Sequence, residues 1–396
     1  MEQSIFTKES LTSSQKSLFI RCFYTFFVNG GLALILGAIL PYMKETYEIN
    51  YVISGMFISV HSAGNLISSF IGGILPAYIG RKASIVLLSS AGVIAFIMMI
   101  LTSNPYLLLL AFFLTGINRG AVSNFNNTMI NEIATGKAWA LNLLHSVFAI
   151  GAFLAPFLAL FFVRNNTDGW KYAVITLAIL CITEVLTFYF MKIPNNTVAK
   201  KEKKPLSLIF LKDKYYLTAC GILFFYLCAE QAFNGWLVTY FKESGILSGP
   251  FAQSMTSLLW VVILIGRLFT AYISSKVKKT NLLFINSIGY VIFFIILISS
   301  RSLTPVAISI IGVGFFMSGL YPTTISCVGN IIKEYPMGLS FLLTFAGLGA
   351  IIMPTIIGAV AEKVGIIGGM STVIVAVLIT FIFISYNAYL YRNKEI

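Results

Sequence analysis

The sequence predicts an all-α membrane protein, with twelve transmembrane helices in two six-helix halves and both termini cytoplasmic. Three observations carry that prediction. Of 396 residues, 58% are hydrophobic and only 10% charged, against about 25% charged in a soluble domain. The chain therefore lacks the polar surface that a water-facing globule needs. Twelve spans of about 20 residues use about 240 residues, which leaves short loops and no room for a large soluble domain. The basic residues, finally, segregate between alternate loops. Composition also excludes a disordered chain, a collagen-like chain and a disulfide scaffold.

Apolar runs read as helices over 19–43, 51–79, 82–102, 105–131, 138–163, 170–192, 215–241, 251–276, 281–300, 303–332, 337–361 and 367–391, numbered helix 1 to helix 12 in that order. The segment before the first of these, Met1 to Ser17, is polar and mixed. The apolar run that follows is too long for a cleavable signal peptide and is read as the first span itself. The widest polar gap, 193–214, holds Pro194-Asn195-Asn196-Thr197 and the basic run Lys200, Lys201, Lys203 and Lys204. It divides the chain into halves 1–192 and 215–396 joined by a cytoplasmic linker. With both termini in the cytoplasm, cytoplasmic segments carry 19 Lys and Arg and outer loops 6, while Arg119 and Arg267 fall in or at the edge of spans. That asymmetry sets orientation and accounts for most of the formal charge of +13, so no nucleic-acid partner is implied. The five cysteines lie in apolar stretches without metal-ligand spacing and read as small hydrophobes.

The halves repeat. Leu141-x2-Leu144-x6-Gly151-Ala152-x3-Pro156 matches Leu339-x2-Leu342-x6-Gly349-Ala350-x3-Pro354 at an offset of 198. Gly64-Asn-Leu-Ile-Ser-Ser-Phe-Ile71 pairs with Gly266-Arg-Leu-Phe-Thr-Ala-Tyr-Ile273 at an offset of 202. These matches place helix 5 on helix 11 and helix 2 on helix 8, a parallel repetition of six-helix units.

On these residues the chain resembles the major facilitator superfamily over essentially its whole length, and the resemblance implies a site between the halves at mid-bilayer. After helix 2, Gly73-x6-Gly80-Arg81-Lys82 is similar to that superfamily's cytoplasmic signature, with Ala77 and Tyr78 where the signature has an acid and a base. The resemblance implies a conformational gating role for Gly73, Gly80, Arg81 and Lys82, and for Arg267 in the second half. Helix 4 (Gly116-Ile-Asn118-Arg119-Gly120), helix 7 (Tyr226-x3-Glu230-x5-Trp236-x3-Tyr240) and helix 10 (Ser318-Gly319-Leu320-Tyr321-Pro322) are similar to the fucose permease-like sugar transporters. Members of that group import sugars with protons. Two of its acidic positions are Asn29 and Ser123 here.

A charge at bilayer depth persists only beside a partner or a wet cavity. Glu230 shares a helical face with Tyr226 and Asn234, and a buried carboxylate can load and release a proton. It is the expected proton-coupling residue. Aromatic rings stack on a sugar while amides and carboxylates bond its hydroxyls. The substrate-lining candidates are therefore Asn29, Asn126, Asn127, Asn142, His145, Gln231, Asn234, Trp236, Trp260 and Tyr321. His61 reads as an interhelical hydrogen-bonding residue and Glu184 as structural. Arg119 calls for a salt bridge or an anionic ligand group.

No P-loop, serine-nucleophile elbow or metal-ligand cluster occurs, so neither an enzyme nor a nucleotide-driven pump is expected, and no cofactor or metal. The leading expectation is a multi-pass plasma-membrane symporter of a small neutral sugar or polyol with protons. It would work by alternating access as a monomer in the lipid bilayer. The alternative is a proton-driven exporter of a drug or amphiphilic metabolite. A non-transporting sensor on the same fold is a third.

Overall fold

The computed structural model describes residues 12–134, 138–193, 208–274, 276–335 and 337–394. Among these residues twelve long helices follow one another: α1 (Ser13–Thr46), α2 (Tyr51–Ile74), α3 (Arg81–Leu101), α4 (Pro105–Ile133), α5 (Ala138–Val163), α6 (Trp170–Phe190), α7 (Lys214–Glu243), α8 (Gly249–Ile273), α9 (Lys279–Ser299), α10 (Leu303–Ser318), α11 (Met337–Ser371) and α12 (Val373–Lys394). The stretch Met337–Arg392 is 56 residues long, about 84 Å at 1.5 Å per residue, far more than one crossing of a core about 30 Å thick. Gly365, at φ 81° and ψ 167°, breaks it, and the chain returns as α12. Gly80, before α3, takes nearly the same angles, φ 82° and ψ 157°. Only glycine enters that region readily.

Element ends differ from the hydropathy windows where capping or proline decides. α1 starts well before residue 19 because Thr12 and Gln15 form a capping box. Asn50, Asn104 and Asp213 accept backbone N–H bonds at the starts of α2, α4 and α7. The expected single helix 10 is three pieces, α10 followed by Leu320–Cys327 and Gly329–Glu334. Pro322 lacks an N–H and crowds the preceding turn, and this break lies beside Tyr321. The basic run of the central linker falls in 194–207, outside the described residues.

α1–α6 form one group and α7–α12 another, and the packing of one recurs in the other. α1 packs on α5 as α7 does on α11, α2 on α4 as α8 on α10, and α3 on α6 as α9 on α12. The sequence repeats mark those contacts. A Cβ on Gly151 would lie 2.1 Å from the Phe27 carbonyl oxygen, and one on Gly349 2.2 Å from that of Phe224. Gly64 abuts the carbonyl of Phe113 as Gly266 abuts that of Phe315, so both partners carry the offset of 202. Gly349→Val should force α7 and α11 apart, at a cost of about 1–3 kcal/mol or more. A lowered thermal-unfolding midpoint and a smaller monodisperse fraction in detergent are expected, whereas an unchanged midpoint would contradict this contact.

The groups meet along α1–α7, α2–α11 and α5–α8. The polar contacts between them lie in the middle and at the end away from the termini. Gln253 Nε2 donates to the Ala38 carbonyl at 2.8 Å, Ser257 Oγ to that of Phe153 at 2.9 Å, and Ser59 pairs with Thr355 at 2.8 Å. At that same end Lys44 pairs with Glu243 at 3.2 Å and Lys242 with Glu45 at 3.0 Å. Tyr51 adds a hydroxyl bond to Glu243, and its backbone N–H donates to Glu362 at 2.9 Å. The two groups are thus clasped at the end away from the termini.

Candidate functional site

The centre of the contact between the groups holds charged residues from both. Glu230 lies midway along α7. Its Oε1 accepts a hydrogen bond from Tyr226 at 3.1 Å, one helical turn earlier. Arg267 of α8 brings a guanidinium nitrogen to 3.9 Å from the same oxygen. The Arg267 side chain is 39% exposed and that of Glu230 14%. Arg267, expected at a gate, lies six residues before the end of α8 at Ile273 and reaches back to Glu230 of α7. Tyr321, at the break after α10, holds its ring 5.9 Å from that of Tyr226 at a tilt of 46° and lies within Coulombic range of Glu230 and Arg267.

The other group contributes Arg119, the fifteenth of the 29 residues of α4. Its guanidinium has no hydrogen-bond acceptor or ion-pair partner within 4.0 Å among the described residues, and Glu230 across the interface is within Coulombic range. Asn29 of α1 fixes it from behind, donating to the Arg119 backbone carbonyl at 3.0 Å. His145 of α5 is exposed, meets Asn127 Oδ1 at 3.1 Å, and lies within Coulombic range of Arg267. Phe26 packs edge-on against its ring, and Trp260 of α8 meets Phe148 across the interface at 6.2 Å with its indole N–H unpartnered.

Glu230, Arg267, Tyr321, Trp260, His145 and Asn127 therefore gather around the centre. Gln231 and Asn234 line a small pocket next to it with His61, Gly37 and Ile58. Other candidates are bonded to neighbouring helices. Asn126 is buried and bonded to Thr25, while Trp236 donates to the Pro354 carbonyl at 3.3 Å beneath the clasp. The side chain of Asn142 lies outside the described residues. His61 bonds Thr115 at 2.8 Å, and Glu184 accepts from Asn118 at 2.9 Å, both within the first group. Arg81 grips Glu132 with two bonds of 2.8 and 2.7 Å, tying the start of α3 to the end of α4. Lys82 lies over Tyr189, and nothing approaches the Cβ positions of Gly73 and Gly80.

Sequence reasoning missed the clasp. Its signal is Tyr42-x-Lys44-Glu45 and Tyr240-x-Lys242-Glu243, again at an offset of 198.

The model of the Major Facilitator Superfamily matches residues 22–331. A Protein TsgA homolog of Buchnera aphidicola subsp. Baizongia pistaciae (strain Bp) is 22% identical over 391 residues, covering 94% of this chain and 96% of that protein. Among solved structures, a D-xylose-proton symporter superposes with a TM-score of 0.77 at 15% identity, covering 95% of this chain and 97% of the other. The nucleoside transporter NupG does so with a TM-score of 0.74 at 14% identity, covering 96% and 99%. At these identities the structural likeness is one of fold.

Proposed function

The chain belongs to the Major Facilitator Superfamily, a family of membrane transporters rather than enzymes, and we propose that it carries a small hydroxylated solute, a sugar or polyol, across the cell membrane together with protons. The observation that carries this reading is Glu230, a carboxylate at the centre of the contact between the groups, bonded to Tyr226 and facing Arg267. Gln231, Asn234, Asn127 and His145 offer hydroxyl-bonding groups around it, and Trp260 and Tyr321 offer ring faces. The D-xylose-proton symporter of the same fold makes proton-driven solute import a natural function for such an arrangement.

In this reading segments 1–192 and 215–396 rock about the central site, joined by 193–214. With both termini cytoplasmic, as the basic residues favour, the clasp closes the outer side and the site opens inward. Glu230 takes a proton from one side and returns it on the other, and its state decides which side opens. The test is counterflow in proteoliposomes loaded with unlabelled hexoses, pentoses, polyols and their acids. Exchange of a labelled member of this panel is expected. No exchange for any of them, together with efflux of an amphiphilic compound from expressing cells, would replace import by export.

A further inference from the structure

The centre of the protein carries two guanidinium groups and one carboxylate. Arg119 and Arg267 come from opposite groups of helices, and Glu230 lies within Coulombic range of the first and 3.9 Å from the second. The remaining titratable side chains facing them are His61, His145, Tyr226, Tyr290 and Tyr321. No other carboxylate reaches the centre among the described residues. Glu184 is committed to Asn118, and the remaining paired acids stand at the helix ends.

The donors are also in excess. Among the described residues, Arg119 has no acceptor, the Nε of Arg267 is buried without a partner, and the indole N–H of Trp260 is likewise unpartnered. Arginine kept at this depth without a carboxylate of its own marks a place where a ligand supplies the charge, and the planar guanidinium fork fits carboxylate and phosphate.

We propose that the substrate carries an anionic group, a carboxylate or a phosphate, held between Arg119 and Arg267. This rests on the transport reading and narrows its substrate from the neutral solute expected from sequence to an acidic one. It also gives the proton a reason to travel. The empty centre bears two positive charges and one negative. When a monoanion takes the place of Glu230 at Arg267, the released Glu230 carboxylate takes a proton from the open side. The loaded centre then has the same net charge as the empty one. A monoanionic substrate and its proton thus cross as an electroneutral pair, with Asn29 acting as a positioning residue through the backbone of Arg119.

The experiment measures the thermal-unfolding midpoint of the purified full chain against matched probes at fixed ionic strength. These are glucose with gluconate, glucuronate and glucose 6-phosphate, galactose with galacturonate, glycerol with glycerol 3-phosphate, and inorganic phosphate alone. At least one acid should raise the midpoint where its neutral counterpart does not, and whether carboxylates or phosphates do so identifies the group. Arg119→Gln and Arg267→Gln should each weaken that acid by about tenfold or more. Arg119→Lys, which keeps the charge, should recover part of the loss and guards against a folding defect. A flat response to every acid in a cooperatively unfolding preparation, or an undiminished shift in folded Arg119→Gln, overturns the proposal. Acids that bind but are never transported leave the anion site standing and sink the transport reading. A neutral sugar transported without competition from any acid does the reverse.

Discussion

Replacing Glu230 with Gln is expected to abolish proton-driven accumulation while leaving solute exchange intact. A one-unit pH gradient holds a solute moved one-to-one with protons at about tenfold accumulation, since one pH unit is worth about 1.36 kcal/mol. The variant should hold it at about onefold. Glutamine keeps the shape of the side chain and an acceptor for the Tyr226 hydroxyl, whose bond is 3.1 Å long, but has no carboxylate to protonate. Exchange needs only substrate binding and rocking, so it should survive. The measurement is uptake against counterflow in the same vesicle preparation. Accumulation that persists in Glu230→Gln would assign coupling to another group, and His145, exposed within Coulombic range of Arg267, is the next to substitute.

The second large effect concerns the clasp. Lys44–Glu243 and Lys242–Glu45 form a reciprocal pair at the end away from the termini. Lys44 also lies 4.0 Å from the centroid of the Tyr51 ring, and Lys242 4.6 Å from that of Tyr42. One exposed ion pair contributes only about 0.2–1 kcal/mol, but reversing a charge exchanges attraction for repulsion. Lys44→Glu should therefore shift the balance toward the state open at this end by about 1–3 kcal/mol, roughly 5- to 150-fold. The reporter is a single cysteine at Ile58, which is buried against Gly235 beneath the clasp. The five native cysteines would be replaced. Its rate of reaction with an impermeant thiol reagent should rise in Lys44→Glu and fall back when Glu243→Lys is added. An unchanged rate in the single variant would show that packing alone closes this end.

Why some of this was legible in the sequence and some was not follows from what each signal records. Hydropathy recorded the spans because lipid contact is a property of whole segments. The offsets of 198 and 202 recorded the helix pairing because Gly151, Gly349, Gly64 and Gly266 each meet a neighbouring backbone carbonyl that admits no side chain. The clasp carries the same offset, yet Lys44 and Lys242 counted only as outer-loop charges, since hydropathy windows end before the last polar turn of a helix. Helical spacing placed Tyr226 and Glu230 on one face, which the structure bears out.

Facing partners were another matter. Asn29 and Asn126 are polar residues in apolar helices, and spacing alone does not separate an amide that ties two helices from one that lines a cavity. The first holds the Arg119 carbonyl and the second holds Thr25. The approach of Arg267 to Glu230 depends on the rotation of α8 against α7, which no local pattern encodes.

Proton coupling is tested by uptake into proteoliposomes under an imposed inward proton gradient, with labelled hexoses, pentoses, polyols and their acids presented together. One of these should accumulate above its counterflow level, and the accumulation should collapse on adding a protonophore. Uptake no greater with the gradient than without it, for every solute in a preparation that still exchanges one of them, would contradict proton coupling through the central site.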